Sequence, residues 1–529
     1  MLARATLLAA LLALRALGAT LVSTPAALLR ALATMADPEV RILAPILLPR
    51  TLRLGASHSG LALIGAHPSA ALLLSASAPP SPVLAISGAA NITVRALAIS
   101  HSPATPRQYL LPAALALADS SGVALSGLRV VGGVRIAGGA GRNSLSRSDV
   151  SNPRGAQNGT CIYVPHCGDS PTLTPCGLAI QDNLVHDCRF DGRSPYVASA
   201  QGVLLGAQAG DARNGSLGCT VGVVVAHNNI TGTDEMGARV ATDYLCASAQ
   251  NQVVFNKIEN WGQLDKGRGG DTTDSGCLYL YGHWMSPGNN FSYNYCASRN
   301  ASWGQNGLYM DDAATGATLV GNVFFNATGG VALKLNGGSH HTVANNLVIQ
   351  GIGMGFAVCR GLRPPAAYVY TCENPNTGAR WMGVLQANGY RAEPWASAFP
   401  WYEGWCNRTT AGPRGYPCAP PGAPPAYECP ALPTGNAVSL FAGVGMRRNS
   451  SFAIPTAPGF PYLDSASPCA RFVVDQAFNS IGESYFVEGL EENFVDPGAE
   501  DWTLRGGAPL FAAAPGFQPI PFRSIGIRG

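Results

Sequence analysis

Charged side chains are scarce in this chain. Asp, Glu, Lys and Arg make up 12% of its 529 residues, against roughly 25% in ordinary soluble proteins. The formal net charge is only +3, so the chain has neither the basic surface that holds nucleic acid nor an acidic tail. Hydrophobic residues reach 47%, which excludes an intrinsically disordered chain. We therefore expect a folded protein with a large apolar interior and no nucleic-acid partner.

Long apolar runs are missing from the chain after its N-terminal segment. No later stretch offers the roughly 18 consecutive apolar residues that a membrane-spanning helix needs. Residues 1–19 contain Arg4, an apolar run and a small-residue ending at Ala19, which is typical of a cleaved signal peptide. A signal anchor or an organelle transit peptide is the alternative. We predict a secreted monomer, extracellular or in a cell wall, whose domain spans residues 20–529.

The 14 cysteines include no Cys-x-x-Cys pair, which argues against a zinc site and a redox motif. We predict no metal and no other cofactor. An even cysteine count in a secreted chain suggests disulfides, although the pairing cannot be deduced from sequence. Cys277 and Cys296 could instead fill the interior as small apolar groups. Nine Asn-x-Ser/Thr motifs are consistent with a secreted glycoprotein.

Helical periodicity is scarce too, and a short strand-like unit recurs in its place. In each copy alternating apolar residues precede an asparagine and more apolar residues follow it, as in 179–185, 224–230 and 342–348. Alternation at a period of two indicates a strand, and an asparagine where strands meet can bond the backbone of a corner. The predicted corner asparagines are Asn183, Asn228, Asn256, Asn294, Asn322 and Asn345.

A constant strand–corner unit with insertions of variable length indicates stacked coils. We therefore predict an all-β fold, a right-handed single-stranded parallel β-helix (a solenoid). Asparagines of successive coils are expected to form a hydrogen-bonded ladder without a chemical role, and a helix at 25–35 to cap the N-terminal end. From about 351 to 433 the repeat is replaced by a loop insertion rich in Cys, Pro and aromatic residues. This insertion is interpreted either as a functional element, a lid or a sugar-stacking wall, or as an insertion without function.

Two motifs combine carboxylates with aromatic residues: Asp-Ser-Gly-Cys-Leu-Tyr-Leu-Tyr-Gly at 274–282 and Gly-Leu-Tyr-Met-Asp-Asp at 307–312. Glycoside hydrolysis needs two carboxyl groups, one to protonate the leaving oxygen and one to attack carbon or activate water. Asp274, Asp311 and Asp312 could supply such a pair. The side chains predicted to contact a sugar substrate are Tyr279, Tyr281, His283, Trp284, Tyr309 and Lys334.

Two registers are possible for these motifs on adjacent coils, whose outward side chains lie about 4.8 Å apart. Aligning the motifs makes Tyr281 and Asp311 neighbours. Counting 11 residues back from successive corner asparagines groups His283, Asp311 and Lys334 instead. Either register places Asp311 among polar or aromatic groups on one outer face.

The ordered motifs resemble right-handed β-helix proteins of the pectate-lyase-like (pectin lyase) superfold, especially those akin to glycoside hydrolase family 141. The counterparts are 274–279, 307–312 and the Asn-Gly-Gly turn at 336–338 before Asn345-Asn346, with a similar closing segment at 515–527. The resemblance covers most of the chain outside the insertion. It implies catalytic carboxylates at Asp274 and at Asp311 or Asp312, and a substrate-binding role for Asn336.

Three functions remain open at this point. The leading hypothesis is a glycoside hydrolase that acts on an extracellular or cell-wall polysaccharide. The second is a polysaccharide lyase, in which calcium would neutralise a uronate and Arg268 or Lys334 would act as base. The third is a non-catalytic wall or adhesion protein that binds a glycan through aromatic side chains.

Overall fold

The computed structural model describes eighteen stretches of the chain, and every structural statement below refers to them. They are residues 18–102, 111–138, 141–153, 156–189, 200–206, 219–241, 246–262, 275–281, 285–298, 305–311, 314–327, 331–335, 338–351, 354–356, 388–404, 437–445, 480–481 and 484–528. Most of the predicted signal peptide and of the predicted insertion lies outside them.

Short strands wind through three long parallel sheets, which we call A, B and C and which contain 14, 13 and 11 strands. The chain visits the sheets in the order A, B, C, and each strand pairs with its counterpart one coil further on. Inward residues such as Leu125, Val130 and Ile136 are buried in one continuous apolar core. The predicted right-handed parallel β-helix is confirmed.

The strands are short and begin afresh in every coil. Sheet A contains Ala19–Val22, Glu39–Ile42, Ala62–Gly65, Thr93–Arg95, Ala124–Ser126, Ser144–Ser146, Ala179–Gln181, Val224–Ala226, Gln252–Val254, Asn290–Ser292, Thr318–Val320, Thr342–Ala344, Ala437–Ser439 and Ser480–Ile481. Sheet B contains Pro45–Leu48, Ala71–Leu74, Ala98–His101, Arg129–Val131, Asp149–Asn152, Leu184–Cys188, Asn229–Thr233, Lys257–Glu259, Tyr295–Ala297, Val323–Phe325, Leu347–Ile349, Phe441–Val444 and Ser484–Val487. Sheet C contains Leu52–Leu54, Leu84–Ser87, Leu115–Ala118, Val134–Ala137, Ile162–His166, Val203–Gly206, Ala238–Ala241, Ser275–Tyr281, Gln305–Asp311, Leu333–Leu335 and Met354–Phe356.

Helices are few and short among the described residues. The α-helices are Pro25–Thr34, Trp395–Ala398, Leu490–Asn493 and Pro509–Ala513, and the 3-10 helices are Ala56–His58, Ala156–Gly159, Pro400–Gly404, Pro497–Ala499 and Phe522–Ser524. The first α-helix begins at a Thr24 cap, whose hydroxyl accepts from the Ala27 N–H at 3.2 Å, and it buries Leu28 and Leu32 at the N-terminal end of the solenoid. This helix confirms the prediction that a helix caps the N-terminal end of the solenoid. None of the described helices is long and apolar enough to span a bilayer.

The corner between sheets A and B is built the same way in the central coils. A residue in the left-handed conformation, such as Phe255 at φ 56°, precedes a fully buried asparagine, here Asn256. Asn256 Oδ1 accepts from the backbone N–H of Asn228 at 3.1 Å and from its side-chain amide at 2.9 Å. The Asn256 amide donates to Asn294 Oδ1 at 3.0 Å and to the Val225 carbonyl at 2.9 Å. The predicted ladder is therefore confirmed.

The last member of this ladder is Asn346, and the prediction of Asn345 was wrong. Asn346 Oδ1 accepts from the backbone and the side-chain amide of Asn322 at 3.0 and 2.9 Å. Asn345 takes the left-handed position at φ 55°, and its Oδ1 accepts from the Gln518 N–H at 2.7 Å. The ladder thus runs through Asn183, Asn228, Asn256, Asn294, Asn322 and Asn346.

A second row of buried polar side chains follows the corner between sheets C and A. Asn251 Oδ1 accepts from the Val223 N–H at 3.0 Å, and Asn289 Oδ1 accepts from the Asn251 amide at 2.9 Å. In a later coil His341 occupies this position, and its Nδ1 accepts from the Ala317 N–H at 3.3 Å. His341 is fully buried, and this burial lowers its pKa to about 3.

The described cysteines form four disulfides: Cys161–Cys188, Cys167–Cys176, Cys219–Cys246 and Cys277–Cys296. Cys277 and Cys296 therefore form a disulfide across the interior. The alternative prediction, that they are unbonded and pack as small apolar groups, was wrong. The other six cysteines lie outside the described residues. Disulfides are typical of oxidising compartments, so these bonds are consistent with an extracellular protein.

The C-terminal region covers the outer face of sheet B in the last coils. It contains an antiparallel hairpin of Phe494–Asp496 and Asp501–Leu504 and the helix Pro509–Ala513. This cover seals an apolar surface that would otherwise face water. The second core beneath it includes Tyr295, Leu347, Phe494, Trp502, Leu510 and Phe517.

Residues 518–528, which we call the C-terminal strap, run back along the corner between sheets A and B. The Gly526 N–H donates to the Phe255 carbonyl at 2.8 Å. Arg528 ends this path with a two-pronged contact to Asp182, at 3.0 and 2.8 Å from its two carboxylate oxygens. The guanidinium of Arg528 holds the pKa of Asp182 below its ordinary value. The strap therefore joins coils that are far apart along the solenoid axis.

Replacing Arg528 with alanine is expected to loosen the strap without unfolding the coils, because the strap lies outside the central core. Hydrogen–deuterium exchange should show faster exchange at the Gly526 amide and unchanged protection at Asn256. Arg523→Ala is the matched control, since Arg523 pairs with Asp501 rather than with a coil. Equal protection of Gly526 in the parent protein and the Arg528 variant would contradict the role of the Asp182 contact.

Candidate functional site

Sheet C brings the two sequence motifs side by side. The strand Ser275–Tyr281 pairs in parallel with Gln305–Asp311, and these two strands lie between Ala238–Ala241 and Leu333–Leu335. Alternate residues such as Leu280 lie in the central core, so the intervening ones face outward. One outward row, which we call the site row, consists of Arg239, Tyr279, Tyr309 and Lys334.

The structure decides between the two predicted registers. Tyr281 is the direct neighbour of Asp311, as the alignment of the two motifs predicts. Lys334 is opposite Tyr309 rather than Asp311, so the register counted back from the corner asparagines was wrong. That count fails because the length of the loop between sheets C and A differs from coil to coil.

Asp311 is held by a tyrosine of the preceding coil. The Tyr279 hydroxyl donates a hydrogen bond to Asp311 Oδ2, and only 4% of Tyr279 and 6% of Asp311 is exposed. Burial, followed by the negative charge of Asp311, raises the pKa of Tyr279 well above its ordinary value. The phenol therefore remains a hydrogen-bond donor at physiological pH and fixes the orientation of the Asp311 carboxylate.

Aromatic and cationic side chains surround this pair. The rings of Tyr279 and Tyr309 meet edge to face at 5.0 Å, and Tyr281 lies 6.4 Å from Tyr279 at 22° between planes. Lys334 Nζ lies 3.9 Å from the centre of the Tyr309 ring. Tyr279 and Tyr309 are buried, whereas Tyr281 and Lys334 are half-buried. Tyr281 and Lys334 are therefore the most accessible side chains of this group.

Sequence reasoning missed one member of the site row, Arg239. Its guanidinium carbon lies 5.4 Å from the centre of the Tyr279 ring and 5.2 Å from that of Tyr281. The available signal was weak: Arg239 is the one charged residue of the strand Ala238–Ala241, which otherwise contains only small or apolar residues. The strand Ala238–Ala241 contains neither of the two motifs. Only the structure shows that this strand lies beside the strands that carry the motifs.

Several predicted site residues lie outside the described part of the chain: Asp274, His283, Trp284, Asp312 and Asn336, together with Arg268. Their roles stay predictions. Among the residues that are described, no group of three or more His, Cys, Asp or Glu side chains could hold a metal ion.

A described part of the insertion, residues 388–404, packs on the corner that follows sheet C. Trp395 Nε1 donates to the Ser170 carbonyl at 2.9 Å, and Trp401 stacks on His340 at 5.0 Å. A side chain at Gly316 would collide with Trp401, because a Cβ there would lie 2.7 Å from its ring. This part is a packed aromatic wall, and a contact with sugar remains a prediction.

Comparison with known proteins adds likenesses of fold. No family model and no curated protein matches the chain, so the similarity to glycoside hydrolase family 141 is not confirmed. The Dettilon tailspike protein is 11% identical at a TM-score of 0.40 over 62% of this chain and 57% of its own. The DFA-IIIase of Arthrobacter chlorophenolicus A6 is 12% identical (TM-score 0.35, 60% of this chain and 75% of its own).

The Streptococcus pneumoniae surface protein and adhesin PfbA is 9% identical at a TM-score of 0.33, over 62% of this chain and 83% of its own. The chain thus spans little more than half the length of the tailspike and a larger share of the other two proteins. At such identities a likeness concerns the fold and does not extend to activity.

Proposed function

We propose that this protein is a carbohydrate-active enzyme, a secreted glycoside hydrolase that cleaves a polysaccharide lying along the site row. One observation carries the proposal: the Asp311 carboxylate is fixed by the Tyr279 hydroxyl within an aromatic and cationic strip on the outer face of sheet C. Such a strip offers a sugar both apolar surface and hydrogen-bonding groups.

The proposed mechanism uses Asp311 together with a second carboxyl group, Asp274 or Asp312. One carboxylic acid gives its proton to the glycosidic oxygen as the bond from that oxygen to the anomeric carbon breaks. The other, a carboxylate, either attacks the anomeric carbon or removes a proton from the attacking water. We assign Asp311 the second role, because the hydrogen bond from Tyr279 holds it as an acceptor in one orientation.

The test is the release of reducing ends from a panel of plant, algal and bacterial polysaccharides. The Asp311→Asn variant, and the double variant with Asp312→Asn, should lose at least about a hundredfold in kcat/KM, which is the usual contribution of one acid–base group. Asp149→Asn is the matched control, since Asp149 is a carboxylate on sheet B. Full turnover by the double variant would refute the assignment.

The same assay distinguishes the other two functions. A chelator-sensitive increase in ultraviolet absorbance from unsaturated products, without hydrolysis, would show a lyase. Glycan binding that is unchanged by carboxylate substitution, with no turnover of any substrate, would show a non-catalytic binding protein.

A further inference from the structure

Arg239 is a buried cation that has no charged partner among the described residues. Only 9% of it is exposed. Within the described part of the chain, its Nε has no hydrogen-bond partner, and no carboxylate forms an ion pair with it. The carboxylate of Asp311, two coils further on, accepts a hydrogen bond from Tyr279. A guanidinium is always charged at physiological pH, so its burial removes charge from water, and no described carboxylate compensates for that loss.

Such an arrangement is costly for a folded protein. A buried charge loses its hydration free energy. Only a partner of opposite charge or well-placed hydrogen-bond acceptors compensate for that loss. The rings of Tyr279 and Tyr281, which lie 5.4 and 5.2 Å from the guanidinium carbon, offset part of it through cation–π attraction. They also hold the guanidinium in place, and they leave the hydrogen-bonding requirement of Nε unmet.

We propose that Arg239 binds an acidic group, a carboxylate or a sulfate, on the glycan that occupies the site row. This inference rests on the proposed function and names the charge class of the substrate. The planar fork of a guanidinium matches two oxygens of such a group and gains strongly from a charged acceptor. The acidic sugar unit lies one coil before Tyr279, about 4.8 Å along the solenoid axis, and two coils before the strand that carries Asp311.

Isothermal titration calorimetry with defined tetrasaccharides tests this proposal. The probes are tetragalacturonate, a chondroitin sulfate tetrasaccharide and neutral cellotetraose. At least one acidic probe should bind at least tenfold more tightly than the neutral one, and added salt should weaken its binding. The preferred acidic probe distinguishes carboxylate from sulfate. Equal binding of all three probes, or binding of the neutral probe alone, would overturn the proposal.

Two variants identify Arg239 as the residue responsible. Arg239→Met should remove the preference for the acidic probe. Arg239→Lys, which keeps the positive charge but lacks the planar guanidinium, should retain only part of this preference. Arg135→Met is the matched control: Arg135 lies three coils earlier in the same register and 5.9 Å from the Tyr163 ring. An acidic preference that survives in Arg239→Met would contradict the assignment.

Thermal unfolding separates a binding role from a structural one. If Arg239 serves a ligand, Arg239→Met should unfold at the same temperature as the parent or higher, because an unpaired buried charge has been removed. A clearly lower Tm would show a structural role instead. The proposed hydrolysis is tested separately: turnover of a neutral glycan that depends on Asp311 would preserve that function and refute the acidic substrate.

Discussion

Replacing Asn256 with leucine is expected to lower the free energy of unfolding by about 5 kcal/mol, because four buried polar groups lose a partner at once. The backbone N–H of Asn228 loses its acceptor, and the side-chain amide of Asn228 loses one of its three acceptors. Asn294 Oδ1 and the Val225 carbonyl lose a donor. None of these groups can reach water in a fully closed corner, and leucine offers no replacement bond. The neighbouring coils therefore lose support on both sides.

Equilibrium denaturation in urea, followed by circular dichroism, measures this loss as a shift of the midpoint. Asn290→Ala is the matched control. Asn290 lies on a sheet A strand, and its half-buried side chain donates to Gln252 and accepts from the Ser292 hydroxyl, so the expected loss is within about 1 kcal/mol. Equal midpoints for the Asn256 variant and the parent would show that the ladder does not stabilise the solenoid.

The second large effect concerns acid stability and His341. The folded protein keeps this histidine neutral, since burial lowers its pKa to about 3 from the ordinary 6.5. Its contribution to stability is therefore fully present above about pH 6.5 and is lost as the pH falls toward 3. A shift of this size corresponds to roughly 5 kcal/mol. The parent should unfold at progressively lower urea concentration over this pH range.

His341→Asn should remove much of that acid sensitivity while preserving the corner. Asparagine already occupies the equivalent position in earlier coils, as Asn251 and Asn289, where Oδ1 accepts a hydrogen bond as His341 Nδ1 does. Urea midpoints at pH 7 and pH 4 provide the measurement, and the exposed His67, replaced by asparagine, provides the control. An unchanged difference between the two pH values in His341→Asn would contradict the assignment.

The recurring asparagine predicted the fold because a single geometric requirement repeats in every coil. The one error in the predicted corner asparagines, Asn345 in place of Asn346, arose where two asparagines are adjacent. The structure supplies the missing rule: the ladder asparagine comes two residues after the end of the sheet A strand, as Asn346 does after Thr342–Ala344. The residue between them takes the left-handed conformation, which asparagine tolerates better than most residues. Local sequence alone therefore fits either asparagine.

The candidate site was only partly predictable for a related reason. Similar motifs at 274–282 and 307–312 gave the correct register of Tyr281 against Asp311. Arg239 belongs to a strand with no such motif, and its place depends on the length of the preceding loops. The disulfide between Cys277 and Cys296 joins sheets C and B across the core, a proximity that spacing in the sequence does not show.

The strap has a consequence for how the protein is made. Coils of a solenoid contact mainly their neighbours, so they can form one after another as the chain emerges from the ribosome. Arg528 follows Asp182 by 346 residues, which at 5–20 residues per second means a delay of roughly 20 to 70 s. During that time the corner that carries His227, Phe255 and Tyr293 lacks its cover. Nascent chains are therefore open to chaperones and proteases along this edge until the strap arrives.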